Sequence, residues 1–409
     1  MQDNEKKPAL RFKGFTDPWE QRKLGELVEI GDIDHRMPET VDVGIPYLMT
    51  GDFCGTNELN FNGVKLISEI EYNQLSQKIK PEQGDILFAR YASVGTVRYV
   101  DFTRKFLISY SCAIIKKGKK INSQYLYHFI TSDEAQKQIK LQINTGSQSN
   151  IGIDSMKNNI LVQMPLIDEQ VQIANMLTNL DHLITLHQRK YDKLTNVKKS
   201  MLEKMFPQNG SNVPEIRFKG FTEAWEQRKV GDLLIERNQQ APMSDEYPLM
   251  AFIANEGVAP KGDRYDRSAL VTDTANKLYK KTEIGDFIYS SNNLETGSIG
   301  LNKYGKACIS PVYSIFEPTG IADSDFLGRR LVRKDFINAM VKWRQGVIYG
   351  QWRIHESDFL KIEIPVPSVV EQRKIGAYLD QLDRLITLHQ RELEKLKNLK
   401  KACLEKMFV

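Results

Sequence analysis

Apolar residues recur at helical spacing in two long stretches of the chain, residues 165–206 and 367–408. In the first stretch these positions are Ile173, Leu177, Leu180, Ile184, Tyr191, Leu194, Val197 and Met201. In the second they are Ile375, Leu379, Leu382, Ile386, Leu393, Leu396, Leu399 and Cys403. Steps of four and three residues predict two long helices with coiled-coil seams. The steps near the end of each series predict one extra three-residue step, which would locally overwind the coil.

A histidine lies in the middle of each seam, within the shared sequence Leu-Ile-Thr-Leu-His-Gln-Arg. The central seam residues are Leu180, Ile184, His187, Leu382, Ile386 and His389. A polar seam residue can set helix register, and we interpret His187 and His389 in that way. The alternative is a proton-sensitive contact between the helices. We expect no metal site, because the seam supplies too few ligands.

From Asp42 to Ile160, ahead of the first helical stretch, the pattern changes to short apolar runs separated by Gly, Asn and Asp. Strands are predicted at Ile45–Met49, Asp85–Ala89, Thr96–Val100 and Phe106–Ile115, and helices at Gln124–Gln142 and Asp325–Lys342. Strands and helices do not alternate regularly, so the sequence predicts an α+β fold class.

The chain is internally repeated. The sequence RFKGFTDPWEQRK at Arg11–Lys23 returns as RFKGFTEAWEQRK at Arg217–Lys229, and each copy precedes one of the two helical stretches. Such a duplication predicts two tandem globular domains separated by two long antiparallel coiled-coil helices, with pseudo-twofold symmetry. The predicted domains are residues 1–164 and 214–364, the predicted helices are 165–206 and 365–409, and the linker is 207–213.

Composition narrows the environment and the partners. The 409 residues carry a net charge of +5, which permits nucleic acid as a partner without demonstrating it. The four cysteines are far apart and form no CxxC pair, which favours a reducing cytoplasm over a disulfide framework or a zinc site. No run of residues is long and apolar enough to span a bilayer, and the N-terminus has no apolar core typical of a secretory signal.

The motifs of common enzyme classes are missing from the sequence. It contains no phosphate-binding P-loop, no dinucleotide-binding glycine motif, no HExxH and no GxSxG. Asp85 and Asp286 each follow a glycine, and we interpret them as turn-stabilising residues in preference to catalytic carboxylates. The sequence therefore indicates a binding protein without an active site.

The two copies agree in their scaffold and differ in their loops, as expected for two recognition domains with different targets. Basic residues cluster in both domains, for example at Lys116–Lys120 and Arg329–Arg333. Lysines typically hold DNA phosphates, whereas Arg, Asn and Gln read base edges. The candidate DNA contacts are Arg90, Tyr91, Ser93, Ser147, Gln148, Asn150, Ser291, Asn292, Asn293, Arg344, Gln351 and Arg353.

Together these motifs resemble the specificity subunit of type I restriction–modification systems over nearly the full chain. The resemblance is carried by WEQRKLGEL and WEQRKVGDL, by the Gly84–Arg90 and Gly285–Tyr289 segments, by the Pro-x-x-x-Glu-Gln helix starts, and by the two LITLHQR centres. It implies two target recognition domains, each reading one half of a split double-stranded DNA sequence. It also implies that the helices dock two methyltransferase subunits and, through them, the restriction and translocase subunits.

The resemblance further implies that S-adenosylmethionine, ATP and Mg are bound by partner subunits, with no cofactor in this chain and no membrane partner. In the family, short repeats in the central helix set the spacer length. No tandem four-residue repeat is present near Leu194–Val197, so the spacer cannot be predicted here. The second domain also lacks an arginine at the position of Arg90.

Two alternatives remain at the sequence level. A non-catalytic scaffold with two peptide-binding domains on a coiled coil explains the architecture but leaves the basic loops without a role. An enzyme that itself methylates or cuts DNA would need motifs that are not found. Salt dependence separates DNA binding from a scaffold, because DNA binding releases counterions and weakens steeply with salt.

Overall fold

The computed structural model describes residues 7–146, 149–208, 210–260, 277–292, 294–348 and 351–408, with only the backbone described at 345–348 and 351–352. The chain forms two compact units. Unit 1 consists of residues 1–191 and 389–409, and unit 2 consists of residues 192–388. In the described part of the chain, no helix is long and apolar enough to cross a membrane.

Unit 1 combines small, mostly antiparallel sheets with short helices, and β3 pairs with β9 in parallel. Its strands are β1 (Glu20–Lys23), β2 (Ile30–Gly31), β3 (Thr40–Leu48), β4 (Phe53–Cys54), β5 (Glu58–Leu59), β6 (Lys65–Ile67), β7 (Ile86–Ala89), β8 (Val97–Tyr99), β9 (Leu107–Ile108), β10 (Cys112–Ile115) and β11 (Leu161–Met164). Its helices are α1 (Leu24–Leu27), α2 (Glu69–Leu75), α3 (Ser123–Thr131), α4 (Asp133–Leu141), α5 (Ile153–Asn159), the first part of α6 (Ile167–Lys204) and, from residue 389, the last part of the C-terminal helix α11 (Val369–Met407). The sheets are ordered β2-β10-β7-β8, β6-β3-β9, β1-β11 and β4-β5.

The sheet β2-β10-β7-β8 is buried on both faces, which explains why its strands read as continuous apolar runs. Successive side chains in a strand point to opposite faces. Ile86 and Phe88 therefore enter the core shared with α3, α4 and α6, whereas Leu87 enters a second core with β3, β6 and α2. Burial of each such side chain contributes roughly 1.5–3 kcal/mol.

Unit 2 repeats this plan. Its strands are β12 (Glu226–Lys229), β13 (Leu234–Glu236), β14 (Gln240–Ala241), β15 (Ala251–Ile253), β16 (Gly257–Ala259), β17 (Tyr279–Thr282), β18 (Phe287–Tyr289), β19 (Ile299–Leu301), β20 (Ala307–Ile309), β21 (Ser314–Pro318), β22 (Gln345–Ile348), β23 (Gln351–Arg353) and β24 (Glu363–Val366). Its helices are α7 (Val230–Leu233), α8 (Ser324–Arg330), α9 (Lys334–Val341), α10 (Glu356–Phe359), the last part of α6 and the first part of α11 (Val369–Met407).

The central sheet of unit 2 is β13-β21-β18-β19, the counterpart of β2-β10-β7-β8 in unit 1. It is accompanied by the sheets β14-β17-β20, β12-β24, β15-β16 and β22-β23. Phe287 and Tyr289 point into the main core, and Ile288 between them points into a smaller core on the other face. In both units, neighbouring residues of the central strand thus enter two different cores. The matching central sheets and the mixture of strands and helices confirm the predicted α+β class and the duplication.

The two long helices run antiparallel where they meet. In unit 1, Asp181 on α6 contacts Lys400 on α11, and six residues further along α6, His187 contacts His389. Residue numbers rise along one helix as they fall along the other. In unit 2 the same helices meet at Lys198 and Asp383, where Nζ lies 2.5 Å from Oδ1. The prediction of two antiparallel helices is therefore confirmed.

The predicted extra three-residue step in the seam is wrong for α11, whereas in α6 the predicted Val197 packs against the core of unit 2. Leu399 is 49% exposed, whereas the side chain of Lys400 is only 13% exposed and forms an ion pair with Asp181. With Lys400 in place of Leu399, the four-three alternation continues along α11 through Leu396, Cys403 and Met407. The apolar pattern was misleading here because a lysine with a buried acidic partner can occupy a seam position.

The two predicted domain helices are each broken in the middle. Residues 124–142 form α3 and α4, separated at Ser132, whose hydroxyl accepts a hydrogen bond from the Ala135 amide at 3.3 Å and caps α4. Residues 325–342 form α8 and α9, separated by residues 331–333. A side chain that satisfies free amides allows a new helix to start inside an apolar helical pattern.

The repeated sequence motifs join each domain to its long helix. Arg11 donates from Nε and Nη2 to the Glu169 carboxylate at 2.7 and 2.8 Å, and Trp19 Nε1 lies 3.3 Å from the same group. In unit 2, Arg217 pairs with Glu371 at the same two distances. This buried bidentate contact explains why the Arg…Trp motif and the Glu-Gln helix start occur together in both copies.

The Gly-Asp motifs form turns. Gly84 has φ +96° and Gly285 has φ +88°, which favour glycine. Asp85 accepts a hydrogen bond from the Glu82 amide at 2.8 Å, and Asp286 accepts one from the Glu283 amide at 2.7 Å. Both carboxylates are therefore engaged in shaping the turn before a central strand.

Candidate nucleic-acid interface

In unit 1 the fold brings together two loops that the sequence singled out. The loop after β7 begins at Arg90, and the second loop lies between Asn144 and Asn150. Tyr91 and Asn144 both form isolated β-bridges with Asn150, and the Ile151 amide donates to the Arg90 carbonyl at 3.1 Å. Residues separated by about sixty positions in the sequence therefore lie side by side.

Arg90 lies inside this arrangement. Its side chain is buried, Nε donates to the Ile151 carbonyl at 3.0 Å, and Nη1 forms an ion pair with Asp32. The guanidinium also lies over the Tyr91 ring, 5.5 Å from its centroid. The geometry gives Arg90 a positioning role for the two loops, and its contact with a base stays a prediction.

The tip of the first loop is exposed. Ala92 has φ +57°, a conformation that is uncommon outside glycine, and Ser93 next to it is exposed to solvent. Asn150 accepts a hydrogen bond from Asn144 Nδ2 at 3.3 Å. Ser147 and Gln148 lie outside the described residues. Strained backbone at an exposed polar loop is typical of binding sites.

Unit 2 holds the corresponding loops together with different side chains. The Ile354 amide donates to the Ser291 hydroxyl at 3.1 Å, where unit 1 uses Arg90 against Ile151. Asn292 is half-buried, and its Oδ1 has no hydrogen-bond partner among the described residues. Asn293 lies outside the described residues. Ser291 thus takes the place of Arg90 in the contact that joins the two loops.

The hairpin of β22 and β23 presents the remaining candidates. Arg344, just before β22, forms a bidentate pair with Glu295 at 3.0 and 2.7 Å, and this pair lowers the pKa of Glu295. Arg353, at the end of β23, has a side chain that is 62% exposed and lies 4.0 Å from Glu356. Gln351 lies in β23, and its side chain is not among the described ones. Arg353 is thus the more accessible of the two arginines.

Part of the predicted basic surface serves the fold itself. Arg329 Nη2 donates to Asp380 and Asp383 on α11 at 2.6 and 2.9 Å. Lys116 Nζ donates to the Asp85 carboxylate at 2.6 Å. Such intramolecular pairs satisfy the cations, so charge clusters in the sequence overstate the charge available to DNA.

The seam places the two histidines in contact. His187 Nδ1 lies 3.1 Å from His389 Nδ1, and burial together with the neighbouring His187 lowers the pKa of His389. Leu180, Ile184 and Leu382 are buried, whereas Ile386 is half-buried. No group of three or more potential metal ligands occurs within the described ranges.

Sequence reasoning missed a polar cluster next to this contact. Asp181 Oδ1 accepts from Lys400 Nζ at 2.5 Å, and His128 from the domain lies 3.9 Å from Asp181. Burial lowers the pKa of His128 to about 3, so His128 is neutral, and its Nε2 forms a 3.0 Å hydrogen bond with the Thr178 hydroxyl. A strict four-three reading of the seam would have identified Lys400 as a seam residue.

Comparisons with known proteins agree with this architecture. Residues 16–196 and 222–398 each match the type I restriction modification DNA specificity domain. The provisionally assigned specificity subunit of the type I restriction enzyme MjaX from Methanocaldococcus jannaschii is 24% identical over 409 residues, which cover 95% of this chain and 92% of that protein. The MjaVIII specificity subunit from the same organism is 26% identical over 272 residues, 59% of this chain and 60% of the relative.

The fold is also similar to a solved structure. The crystal structure of a type I restriction-modification system S subunit from M. genitalium has a TM-score of 0.62 and 16% sequence identity, and the match covers 98% of this chain and 99% of that one. The family match spans both copies of the repeat and most of the chain. The protein therefore belongs to the type I restriction–modification DNA specificity subunit family, as a non-catalytic subunit with two DNA specificity domains.

Proposed function

We propose that this subunit recognises a bipartite DNA target and that each specificity domain reads one half-site. The reading surfaces are the loop after β7 with residues 144–150 in unit 1, and residues 291–295 with the β22–β23 hairpin in unit 2. The domains are those predicted at 1–164 and 214–364, joined by helices at 165–206 and 365–409 and a linker at 207–213.

One observation carries the proposal. The same pair of loops is clamped at the same place in both units, by Arg90 and Ile151 in one and by Ser291 and Ile354 in the other. The two copies share the buried scaffold, and the exposed side chains next to each clamp differ. A rigid frame with variable loops is the arrangement that allows two copies of one fold to read two sequences.

The side chains at these loops have the chemistry needed for base readout. Arginine donates two hydrogen bonds to guanine, and asparagine and glutamine bind adenine in a bidentate way. Asn150 in unit 1 and Arg353 in unit 2 belong to these classes, and Ser93 can donate or accept. We therefore assign base contacts to these three residues first and assign Arg90 to the support of the loops.

We further propose that the long helices dock two methyltransferase subunits, and through them the restriction and translocase subunits. Within unit 1, Leu186 on α6 is 61% exposed and Leu183 is also exposed. Exposed apolar residues on an otherwise polar helix are typical of protein-binding surfaces. In this proposal S-adenosylmethionine, ATP and Mg bind to the partner subunits.

The test is a pair of single substitutions, Asn150→Ala and Arg353→Ala, in the complete complex. Methylated sites in a host genome would be sequenced for each variant. Each substitution should relax the sequence at one half-site only, because removal of a bidentate base contact costs about 1–3 kcal/mol of discrimination. Lys13→Ala, an exposed change in the N-terminal motif, serves as control.

Exchange of residues 30–160 for the first domain of another family member extends the test. It should replace one half-site and leave the other intact. A change in both half-sites, after either single substitution or after the domain exchange, would contradict the proposal that each domain reads one half-site. Binding that does not weaken with salt would instead favour the scaffold alternative.

A further inference from the structure

Unit 2 contains a cavity that the base-reading loops do not use. It has a volume of about 1050 Å³ and lies between the end of α6, the segment that follows it, and the turn joining α8 to α9. Its charged lining consists of Lys199, Glu203, Arg330, Arg333, Lys334 and Asp335. Four cationic side chains therefore face two carboxylates, which leaves an excess of positive charge.

The two arginines share one acidic partner. Arg330 Nη1 lies 3.0 Å from Asp335 Oδ2, and Arg333 Nε lies 3.5 Å from Asp335 Oδ1. The Arg330 side chain is only 7% exposed, and its Nε has no hydrogen-bond partner within the described part of unit 2. Burial lowers the pKa of Arg330, because the loss of hydration around its charge outweighs the attraction of Asp335.

The start of α9 adds to the positive potential. Arg333 is the N-cap residue and makes no side-chain capping hydrogen bond, and the first turn contains Lys334 next to Asp335. The amides at a helix N-terminus and the helix dipole attract anions. A cationic residue at this position opposes the dipole, and the acidic residue of the same turn, Asp335, is already shared between Arg330 and Arg333.

The corresponding turn in unit 1 shows the contrast. There Ser132 caps α4 through its hydroxyl, and Asp133 and Glu134 follow in the first turn. These residues satisfy the amides and complement the dipole without a ligand. The two copies therefore share the break between two helices and differ in the charge at the start of the second helix, which is acidic at α4 and carries Arg333 and Lys334 at α9.

We propose that the unit 2 cavity binds a phosphate group. Guanidinium forks bind phosphate oxygens in a bidentate way, and a helix N-terminus supplies further donors. The phosphate belongs either to a DNA strand or to a free nucleotide, since both offer the same oxygens. The contact is independent of base sequence, so it does not depend on the assignment of the reading loops.

The test uses the rim of the cavity in the full-length chain. Arg330 and Arg333 also hold the fold, since Arg333 donates to the Leu202 carbonyl and lies over the Phe206 ring, 5.1 Å from its centroid. The variant is therefore Lys199→Gln with Lys334→Gln, two exposed positions, and the control is Lys219→Gln, an exposed lysine of unit 2 that does not line this cavity. Equal unfolding midpoints would establish that the variants fold.

Two measurements distinguish the sources. Phosphorus NMR of inorganic phosphate and of ADP with the full chain reports free phosphate binding. Fluorescence anisotropy with a random-sequence duplex over a series of salt concentrations reports DNA. If the source is DNA, the slope of log K against log salt should fall by about 1 for each phosphate that the variant no longer neutralises, with affinity reduced equally for all sequences.

If the source is free phosphate, the parent chain should broaden the ADP or phosphate resonance, and the double variant should not. If the double variant loses the broadening of the phosphorus resonance and also has a smaller salt slope, both ligands bind in the cavity. The proposal is overturned if the double variant behaves like Lys219→Gln in both measurements. A failure of sequence-specific recognition would leave these outcomes unchanged, since neither measurement uses the target sequence.

Discussion

Replacement of Lys400 by methionine tests the polar pair in the seam between α6 and α11 within unit 1. Lys400 Nζ lies 2.5 Å from Asp181 Oδ1, and each side chain is 13% exposed. Methionine keeps the length of the apolar stem and removes the charge. The Asp181 carboxylate would then remain in the seam beside neutral His128, without a cationic partner at that position.

The expected decrease in stability follows from the burial of both groups. Removal of one partner of a buried pair costs about 3–5 kcal/mol, and the residual exposure favours the lower end, about 3 kcal/mol. Replacing both residues, Asp181→Leu with Lys400→Met, removes the stranded charge. The double variant should therefore lie within ~1 kcal/mol of the parent chain or be more stable.

The pH dependence provides an independent check. Burial raises the pKa of Asp181 above 3.8, and Lys400 opposes this rise. Without Lys400 the pKa of Asp181 should rise further, so that the folded state binds a proton more tightly than the unfolded state. The stability deficit of the Lys400→Met variant against the parent should then shrink as the pH falls through that pKa toward the unfolded value of about 3.9.

The assay is hydrogen exchange of the α6 amides up to Tyr191 in the full-length chain, which reports on unit 1 without requiring two-state unfolding of both units. Lys397→Met, an exposed change on the same helix, is the control and should leave exchange unchanged. A decrease below about 1 kcal/mol, or a double variant as unstable as the single one, would refute the reasoning about a stranded buried charge.

Further outcomes follow from the same structure. Glu295→Gln should tighten DNA binding in anisotropy titrations, because it removes the carboxylate that pairs with Arg344 and a negative charge near the proposed reading surface, and unchanged or weaker binding would contradict this. Unit 1 should lose about 1.4 kcal/mol per pH unit between pH 6.5 and about 3, because His128 takes up a proton only on unfolding, and His128→Gln should flatten this dependence in acid unfolding curves. Glu169→Gln should destabilise its unit by about 1 kcal/mol more than Glu371→Gln, because only Glu169 also binds a tryptophan, and equal decreases in hydrogen-exchange protection would argue against that hydrogen bond.

Local patterns in the sequence were sufficient for the broad architecture. The repeated motifs, the helical periodicity and the short apolar runs predicted two copies of an α+β unit with two long helices, and the structure confirms this. Helix periodicity depends on residues three and four positions apart, so one chain segment contains all the information that it needs. The absence of common enzyme motifs could likewise be established from the sequence alone.

Within each unit, pairings between distant residues needed the structure. The helix break at Ser132 follows a hydroxyl that caps a new helix, and the seam position of Lys400 depends on Asp181, 219 residues earlier. The cap at Ser132 leaves no periodic signal, and Lys400 fits the four-three spacing but looks like a surface residue until its acidic partner is known.

For the candidate DNA-binding residues, too, part of the answer came from the sequence and part from the tertiary structure. Sequence comparison of the two copies located the variable loops and the residue types suited to DNA. The tertiary structure decided that Arg90 holds two loops together while Arg353 is accessible, since burial depends on neighbours that are distant in the sequence. The sequence by itself thus determined the repeated frame and the helices, which rest on local composition and spacing, whereas the class of partner followed from the resemblance of its motifs to a known family. Only the tertiary structure decided which polar groups hold the frame and which remain available, because each buried charge is assigned by the partner that the fold brings to it.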